Sequence, residues 1–499
     1  MSTHHFKKAC CDAGCCSLLG RRDFLGGLGA LSGAALAMQL GLFDSAVTGA
    51  VGATPRAGGH RKPVFHAAFT RQPVERYWMG WPGAAYDIGA SQRRYTEILN
   101  GAAKNLNVSV DIQNEPLVND ATVDAFVERV AGAGSDGVIL TVTGLHPDGW
   151  SQVNRFLEKR GDLPTVVFAP QGTQFTPTLQ RYRTMSKVFV GATQDVEWLA
   201  TAVRMLKTIR QMATTRIAVV HGQEEREQVL SPLGTTLHHI PLERFAVAYD
   251  ATADAEEARE IAETYRKVAK GIVEPNAQDI LEAARTYVAN RRMLATTGCH
   301  AITMDCLGLV TNRRTPPPCM AYMQLLNEGT CGACERDVTA TLSLLLSSYL
   351  LDRPAFLHNP SPNTVRNTYM GAHCTAPTKM DGFDAPDSHY TLRSHHESDV
   401  GVAPQVWLRE NQGVTMMKFL NAGELMACTG TLLCNIETRP DDGVGGCRTA
   451  FEMAVDDVGD TRDIRGHHNV LLYGKHLPML KAYCQLSGLA ISRIDGGTV

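Results

Sequence analysis

Two short runs in the N-terminal half are apolar without alternation: Gly137-Val138-Ile139-Leu140-Thr141-Val142 and Thr165-Val166-Val167-Phe168. A strand with no polar face must be covered on both sides, which is the setting of a parallel strand between two layers of helices. The neighbouring sequence supplies such helices. Residues 86–106 and 124–132 carry apolar positions at helical spacing, and Val64-Phe65-His66-Ala67-Ala68-Phe69 and Val108-Ser109-Val110-Asp111-Ile112 read as further strands. Strand and helix therefore alternate over residues 62–176, the pattern of an open α/β sheet.

The alternation resumes with Val188-Phe189-Val190, a helix over 195–211, and the strand Arg216-Ile217-Ala218-Val219-Val220. Residues 251–291 read as nearly all helical, broken at Pro275; Ala301-Ile302-Thr303-Met304 is a strand, and 338–351 is apolar nearly all round, so it should be buried. From Thr368 onward Gly, His, Thr and short β-type runs replace helices. The expected fold class is α/β: two open parallel-sheet (Rossmann-like) domains, residues 60–180 and 185–358, then a mixed, β-rich C-terminal domain, residues 359–499. A chain of 499 residues has room for these three units. Its 48 basic and 51 acidic residues leave a net charge of −3, which argues against a nucleic-acid partner. A hydrophobic share of 44% argues against disorder. No Gly-x-Gly-x-x-Gly follows an N-terminal strand and no Walker lysine motif occurs, so a dinucleotide or ATP enzyme is not supported.

Residues 1–53 read as a leader. Arg21-Arg22 precedes Asp23-Phe24-Leu25 and a weakly hydrophobic stretch with five glycines between Gly26 and Gly41, the order of a twin-arginine export signal. The expectation is an exported, periplasmic or extracytoplasmic protein that is handed to the twin-arginine machinery already folded. Cysteine placement agrees with that division. Four of the 14 cysteines (Cys10, Cys11, Cys15, Cys16) precede the arginines, and the other ten all follow residue 298. Confinement to one end is unlike a disulfide framework, so most read as buried thiols. Cys331 and Cys334 form a C-x-x-C that is either a disulfide or redox pair or a structural element; a second pair for zinc is missing.

Groups able to bind or move charge crowd into the last two hundred residues. Asp305 follows the strand Ala301-Ile302-Thr303-Met304 and so stands where ligands enter an open α/β sheet, or it is a loop aspartate held by backbone amides. Glu335 and Asp337, two residues apart, suit a hard divalent cation or an acid–base pair, although Asp337 is equally well placed to cap the helix that starts at Val338. Three histidine clusters follow: His373 among small residues, His395-His396-Glu397, and His467-His468 ahead of the apolar run 470–473. Adjacent histidines in a strand face opposite ways, so at most one of each pair should line a given site.

Glu274-Pro275, Ile302-Thr303-Met304-Asp305-Cys306, Cys334-Glu335-Arg336-Asp337, Ala372-His373-Cys374-Thr375-Ala376-Pro377 and Gly466-His467-His468 with Tyr473-Gly474 occur in this order. In that series the chain resembles the L-fucose isomerase-like group, related to L-arabinose isomerase, from about residue 60 to its end. The resemblance implies a homo-oligomeric, metal-binding enzyme of carbohydrate metabolism that holds Mn²⁺ (or Mg²⁺) between the α/β domains and the C-terminal domain. It implies aldose–ketose (ketol) isomerisation of a small sugar substrate through enediol chemistry. Asp337 matches the carboxylate of the E-x-D motif and His468 the histidine before Tyr-Gly. The family's other carboxylate lies a few residues beyond the strand, where this chain has Gly308-Leu309, and Asp305 is the nearest replacement. The expected metal ligands are therefore Asp305, Asp337 and His468; the expected catalytic groups are Asp305, Asp337 and Glu335; the expected substrate contacts are His373, His396 and His467. The alternatives are an exported sugar-binding protein on the same scaffold, or an epimerase or lyase that shares the enediol chemistry.

Overall fold

Side-chain alternation along the first sheet divides its residues between two cores. Phe65, Ala67, Phe69, Ile139, Val166 and Phe168 pack on one face with Tyr95, Leu99, Leu199 and Leu206. Ala68, Val138, Leu140, Val142, Val167 and Ala169 pack on the other with Val123, Phe126, Trp150 and Phe156. Five parallel strands build this sheet in the order Ser109–Ile112, Val64–Thr70, Gly137–Val142, Thr165–Pro170, Val188–Thr193. Its helices begin where polar side chains can satisfy free amides. Asp87 accepts from the Ala90 N–H ahead of Ile88–Asn105, and Asn119 and Thr122 form a capping box ahead of Asp120–Gly132. Val188–Thr193, which the sequence alone suggests as the opening strand of the second unit, pairs in parallel with Thr165–Pro170 and completes the first.

The computed structural model describes residues 61–71, 76–78, 85–144, 149–312, 314–437 and 446–497. The expected leader, with its four cysteines, lies outside them. The described elements belong to one unit, Arg56–Val499. Among them no helix is long and apolar enough to cross a membrane.

The second sheet runs Cys331–Ala333, Ala301–Met304, Arg216–Val220, Thr236–Ile240, Arg226–Val229. Its first four strands are parallel, but Arg226–Val229 is antiparallel at the edge, so an open parallel sheet describes only part of it. The long helical stretch around Pro275 resolves into Glu256–Val268 and Ala277–Thr297, with the two-residue strand Gly271–Ile272 between them. Asn276 and Asp279 form the capping box that restarts the chain just after Pro275.

The C-terminal region closes into a six-stranded antiparallel barrel: Gly413–Asn421, Asn469–Tyr473, Phe356–Asn363, Thr368–His373, Thr449–Val455, Glu424–Asn435, and back to Gly413–Asn421. Closure removes the sheet edges that an open set of six strands would leave unpaired. Ala490–Arg493 adds in parallel outside Glu424–Asn435. The helix Val338–Leu346, buried from Ala340 to Leu346, is shared by the second sheet and the barrel: Ala340, Leu342 and Leu344 join Ile217, Val219 and Ala301 and also Met417, Phe419 and Val470. Ser343 Oγ accepts the Phe419 N–H at 2.9 Å and ties the two layers.

One glycine sets the seating of the strand that leads into the site. A Cβ on Gly332 would run into the fully buried Tyr322 ring and come within 3.2 Å of the Tyr322 Cα, which cannot swing away. Gly332→Ala is expected to cost about 1–3 kcal/mol of overpacking. Urea unfolding, with an unchanged m-value, reads this directly.

Candidate metal centre

At the carboxyl edge of the second sheet the strand Cys331–Ala333 gives way to a turn in which Glu335 and Arg336 both take left-handed backbone angles, φ 59° and 58°. Two successive non-glycine residues there cost on the order of 1–3 kcal/mol each. The turn is held by the Arg336 N–H donating to the Met304 carbonyl at 2.9 Å and the Asp337 N–H donating to Cys334 at 3.2 Å. The consequence is directional: Glu335 leaves the α/β layer and meets the barrel.

The barrel side supplies two imidazoles. His373 ends the strand Thr368–His373, and His468 immediately precedes Asn469–Tyr473. His373 Nε2 lies 3.4 Å from Glu335 Oε1, and His468 Nε2 lies 3.4 Å from Glu335 Oε2. The three residues bring ligand atoms within 4.8 Å of one another, and they are the one such group among the described residues. Both Nε2 atoms are buried and make no hydrogen bond.

Behind His468 stands Asp337. Its Oδ2 faces His468 Nδ1 at 3.0 Å and accepts from Lys418 Nζ at 2.7 Å, while its Oδ1 accepts the Ala340 N–H and the Thr339 hydroxyl, each at 2.8 Å. A carboxylate on Nδ1 directs that nitrogen's hydrogen toward itself and leaves Nε2 as the lone-pair donor. Asp337 is thus helix cap and imidazole anchor at once. Lys418, 6% exposed, also donates to the His468 carbonyl at 3.3 Å.

The electrostatics follow. The imidazoles of His373 and His468 hold the Glu335 carboxyl well below the usual carboxylate range. Burial works against ionising Asp337, but His468 and Lys418 overcome it and hold this carboxyl low as well. Burial alone would lower His468; the two carboxylates outweigh it and raise it to about 9. Two neighbouring histidines go the other way. His395 is pushed down to about 4 by burial, with His373 adding to it, and His358 to about 3, again by burial.

The group fits a divalent cation. Two imidazole nitrogens from the barrel side and a carboxylate from the turn after Cys331–Ala333 converge, the nitrogens have no other partner, and an outer carboxylate orients one of them. His468 stands in the group as the sequence suggested. Glu335, expected as a catalytic group, and His373, expected as a substrate contact, supply the other two positions. Asp337 and Asp305, expected as ligands, bring no oxygen into it: Asp337 acts through His468, and Asp305 caps the short helix Cys306–Thr311 by accepting the Gly308 N–H at 3.1 Å. A Cβ on Gly308 would sit 2.8 Å from Asp305 Oδ2, so a larger residue there would displace the Asp305 carboxylate. His467 is exposed, its ring tilted at 45° against that of His468 with centroids 4.2 Å apart. His396 is half-buried, and its neighbour His395 is the inward residue of that pair.

Sequence reasoning missed Lys418 and His358. A single charge inside the apolar run Val414–Leu420 was the available signal, because a lysine in such a strand must have a buried partner. In the C-x-x-C pair Cys331 and Cys334 are both buried and not bonded to each other, and Cys334 Sγ donates to Thr375 Oγ1 at 3.5 Å.

No family model matches the chain, and no curated protein sequence matches it. Among solved structures, a sugar ABC transporter from Yersinia enterocolitica subsp. enterocolitica 8081 aligns at 13% identity over 58% of this chain and 86% of its own, with a TM-score of 0.17. An ABC sugar transporter (periplasmic sugar binding protein) from Legionella pneumophila aligns at 9% identity over 55% and 99%, with a TM-score of 0.16. Superposition at that level leaves the functional argument to the residues themselves.

Proposed function

We propose that this chain is an exported, divalent-metal-dependent carbohydrate enzyme of the ketol-isomerase type. The observation that carries the reading is the meeting of Glu335, His373 and His468 where the turn after Cys331–Ala333 reaches the barrel, with two buried Nε2 atoms otherwise unpartnered. These three residues would hold the cation, with Asp337 fixing the tautomer of His468 and Lys418 neutralising Asp337. Two imidazoles favour Mn²⁺ over Mg²⁺, which prefers an all-oxygen shell. A bound divalent cation supplies Lewis-acid polarisation of adjacent oxygens on the substrate.

The proton is left to the chain. Asp305 follows Met304, whose carbonyl receives the Arg336 N–H, so this residue lies beside the turn that carries Glu335. Its Oδ1 is occupied by Gly308, and its Oδ2 accepts no hydrogen bond among the described residues. In this reading Asp305 Oδ2 carries the proton between C1 and C2, a role worth about 10²–10⁴ in rate.

The test is metal content of the protein purified without added metal or chelator, followed by NMR of an aldose and ketose panel in D₂O. Near-stoichiometric Mn²⁺ and deuterium entering at C1 or C2 are the expected results. No stoichiometric metal, even after Mn²⁺ is supplied, sinks the proposal. Sugar binding without metal or exchange would then favour an exported sugar-binding protein on the same scaffold, the reading suggested by Gly308-Leu309 where the resembled family keeps a carboxylate.

A further inference from the structure

The second sheet has one topological switch point. From Arg216–Val220 the chain moves to Thr236–Ile240 on one side and later to Ala301–Met304 on the other, so the crevice lies outside the carboxyl ends of Arg216–Val220 and Ala301–Met304. Ligands of open α/β sheets bind in such a crevice. The residues that follow the two strands are His221 and Asp305. Arg336, one residue beyond Glu335, reaches His221 from the next strand: its Nη1 donates to His221 Nδ1 at 3.4 Å, and His221 Nε2 lies 2.8 Å from His239 Nδ1.

This chain of contacts has a single consistent direction. With Nδ1 of His221 accepting from Arg336, its Nε2 carries the hydrogen and donates to His239. His239 Nε2 is then a buried N–H without a partner, on a residue only 7% exposed. The two histidines thus brace the guanidinium at the crevice. Among the described residues no carboxylate pairs with Arg336, and none pairs with Arg226, whose charge also acts on both histidines. Asp305 is the carboxylate that acts on His221 in the opposite sense. An exposed, braced arginine with free donors in its planar fork is the group that receives an oxyanion in two-point fashion.

We propose that Arg336, positioned by His221 and His239, is the anion subsite of this centre, and that the substrate is an acidic sugar whose carboxylate or phosphate sits on Arg336. The inference takes the metal reading above as its frame. Arg336 is the residue next to Glu335 in the same left-handed turn, so the subsite and the metal group share one short segment of chain.

Calorimetric titration of the metal-free and the Mn²⁺-supplied protein with D-glucuronate, D-glucose 6-phosphate and D-glucose decides it. One of the two acidic probes is expected to bind about 10- to 100-fold more tightly than D-glucose, by an amount that shrinks as salt is raised. The tighter of the two identifies carboxylate or phosphate. Arg336→Gln should bring the acidic-to-neutral ratio close to one, and Arg336→Lys should keep part of it. Equal binding of acidic and neutral probes by the unaltered protein, or an equal loss of both in Arg336→Gln, overturns the subsite. Failure of the metal reading is separate: it shows as no Mn²⁺ uptake, while the acidic preference persists in the metal-free protein.

Discussion

His468→Ala is expected to abolish stoichiometric metal binding while the barrel stays folded. The ring gives one of three converging donor atoms, and its Nε2 has no other partner that the loss would orphan. Removing a direct ligand should lower affinity by more than the about 10- to 100-fold seen when only an outer partner is lost. Asp337 keeps Lys418 and the Ala340 amide in the variant, so the helix Val338–Leu346 retains its cap. Competition against a chelating dye measures the affinity, and far-UV circular dichroism checks the fold. Mn²⁺ bound with unchanged affinity by His468→Ala would remove this residue from the ligand set. His373→Ala is expected to behave alike, which separates the centre seen here from one built on Asp305 and Asp337.

How much of this was visible in the sequence depends on whether the determinant is local. Gly137–Val142 and Thr165–Pro170 are legible as buried strands because nothing but a covered position accepts so apolar a run. Val188–Thr193 is equally legible as a strand, but its neighbour is not: parallel pairing with Thr165–Pro170 is chosen by the sheet, and no residue within the strand announces it. The barrel shows only as a change of texture after Thr368. Its closure depends on Gly413–Asn421 meeting Glu424–Asn435 and on the other strands filling the gap between them. At the site, residue types and spacing single out Glu335, Asp337, His373 and His468. What they do not reveal is which oxygens converge. That is decided by the left-handed pair Glu335–Arg336, which sends Glu335 to the histidines and leaves Asp337 at the helix start. Spacing along a chain assumes ordinary backbone angles, so an inversion at two residues defeats it.

The largest stability effect is expected at the other end of the same relay. Asp337→Asn keeps a side chain able to cap the helix but leaves Lys418 buried without its counter-charge, a change worth about 3–5 kcal/mol. It also weakens the hold on His468 Nδ1, which predicts an affinity loss of about 10- to 100-fold for the metal. Lys418→Met in the same chain separates the two consequences. Replacing both members of a buried pair with neutral groups is often close to neutral for folding, so the double variant should recover most of the lost stability in urea. Metal affinity should stay low, because methionine restores packing and charge balance but offers nothing to His468. A double variant that regains both stability and affinity would mean that Asp337 serves the centre only by keeping the fold. Recovery of stability alone would assign it the orienting role, since only the hydrogen bond to Nδ1 distinguishes the two outcomes.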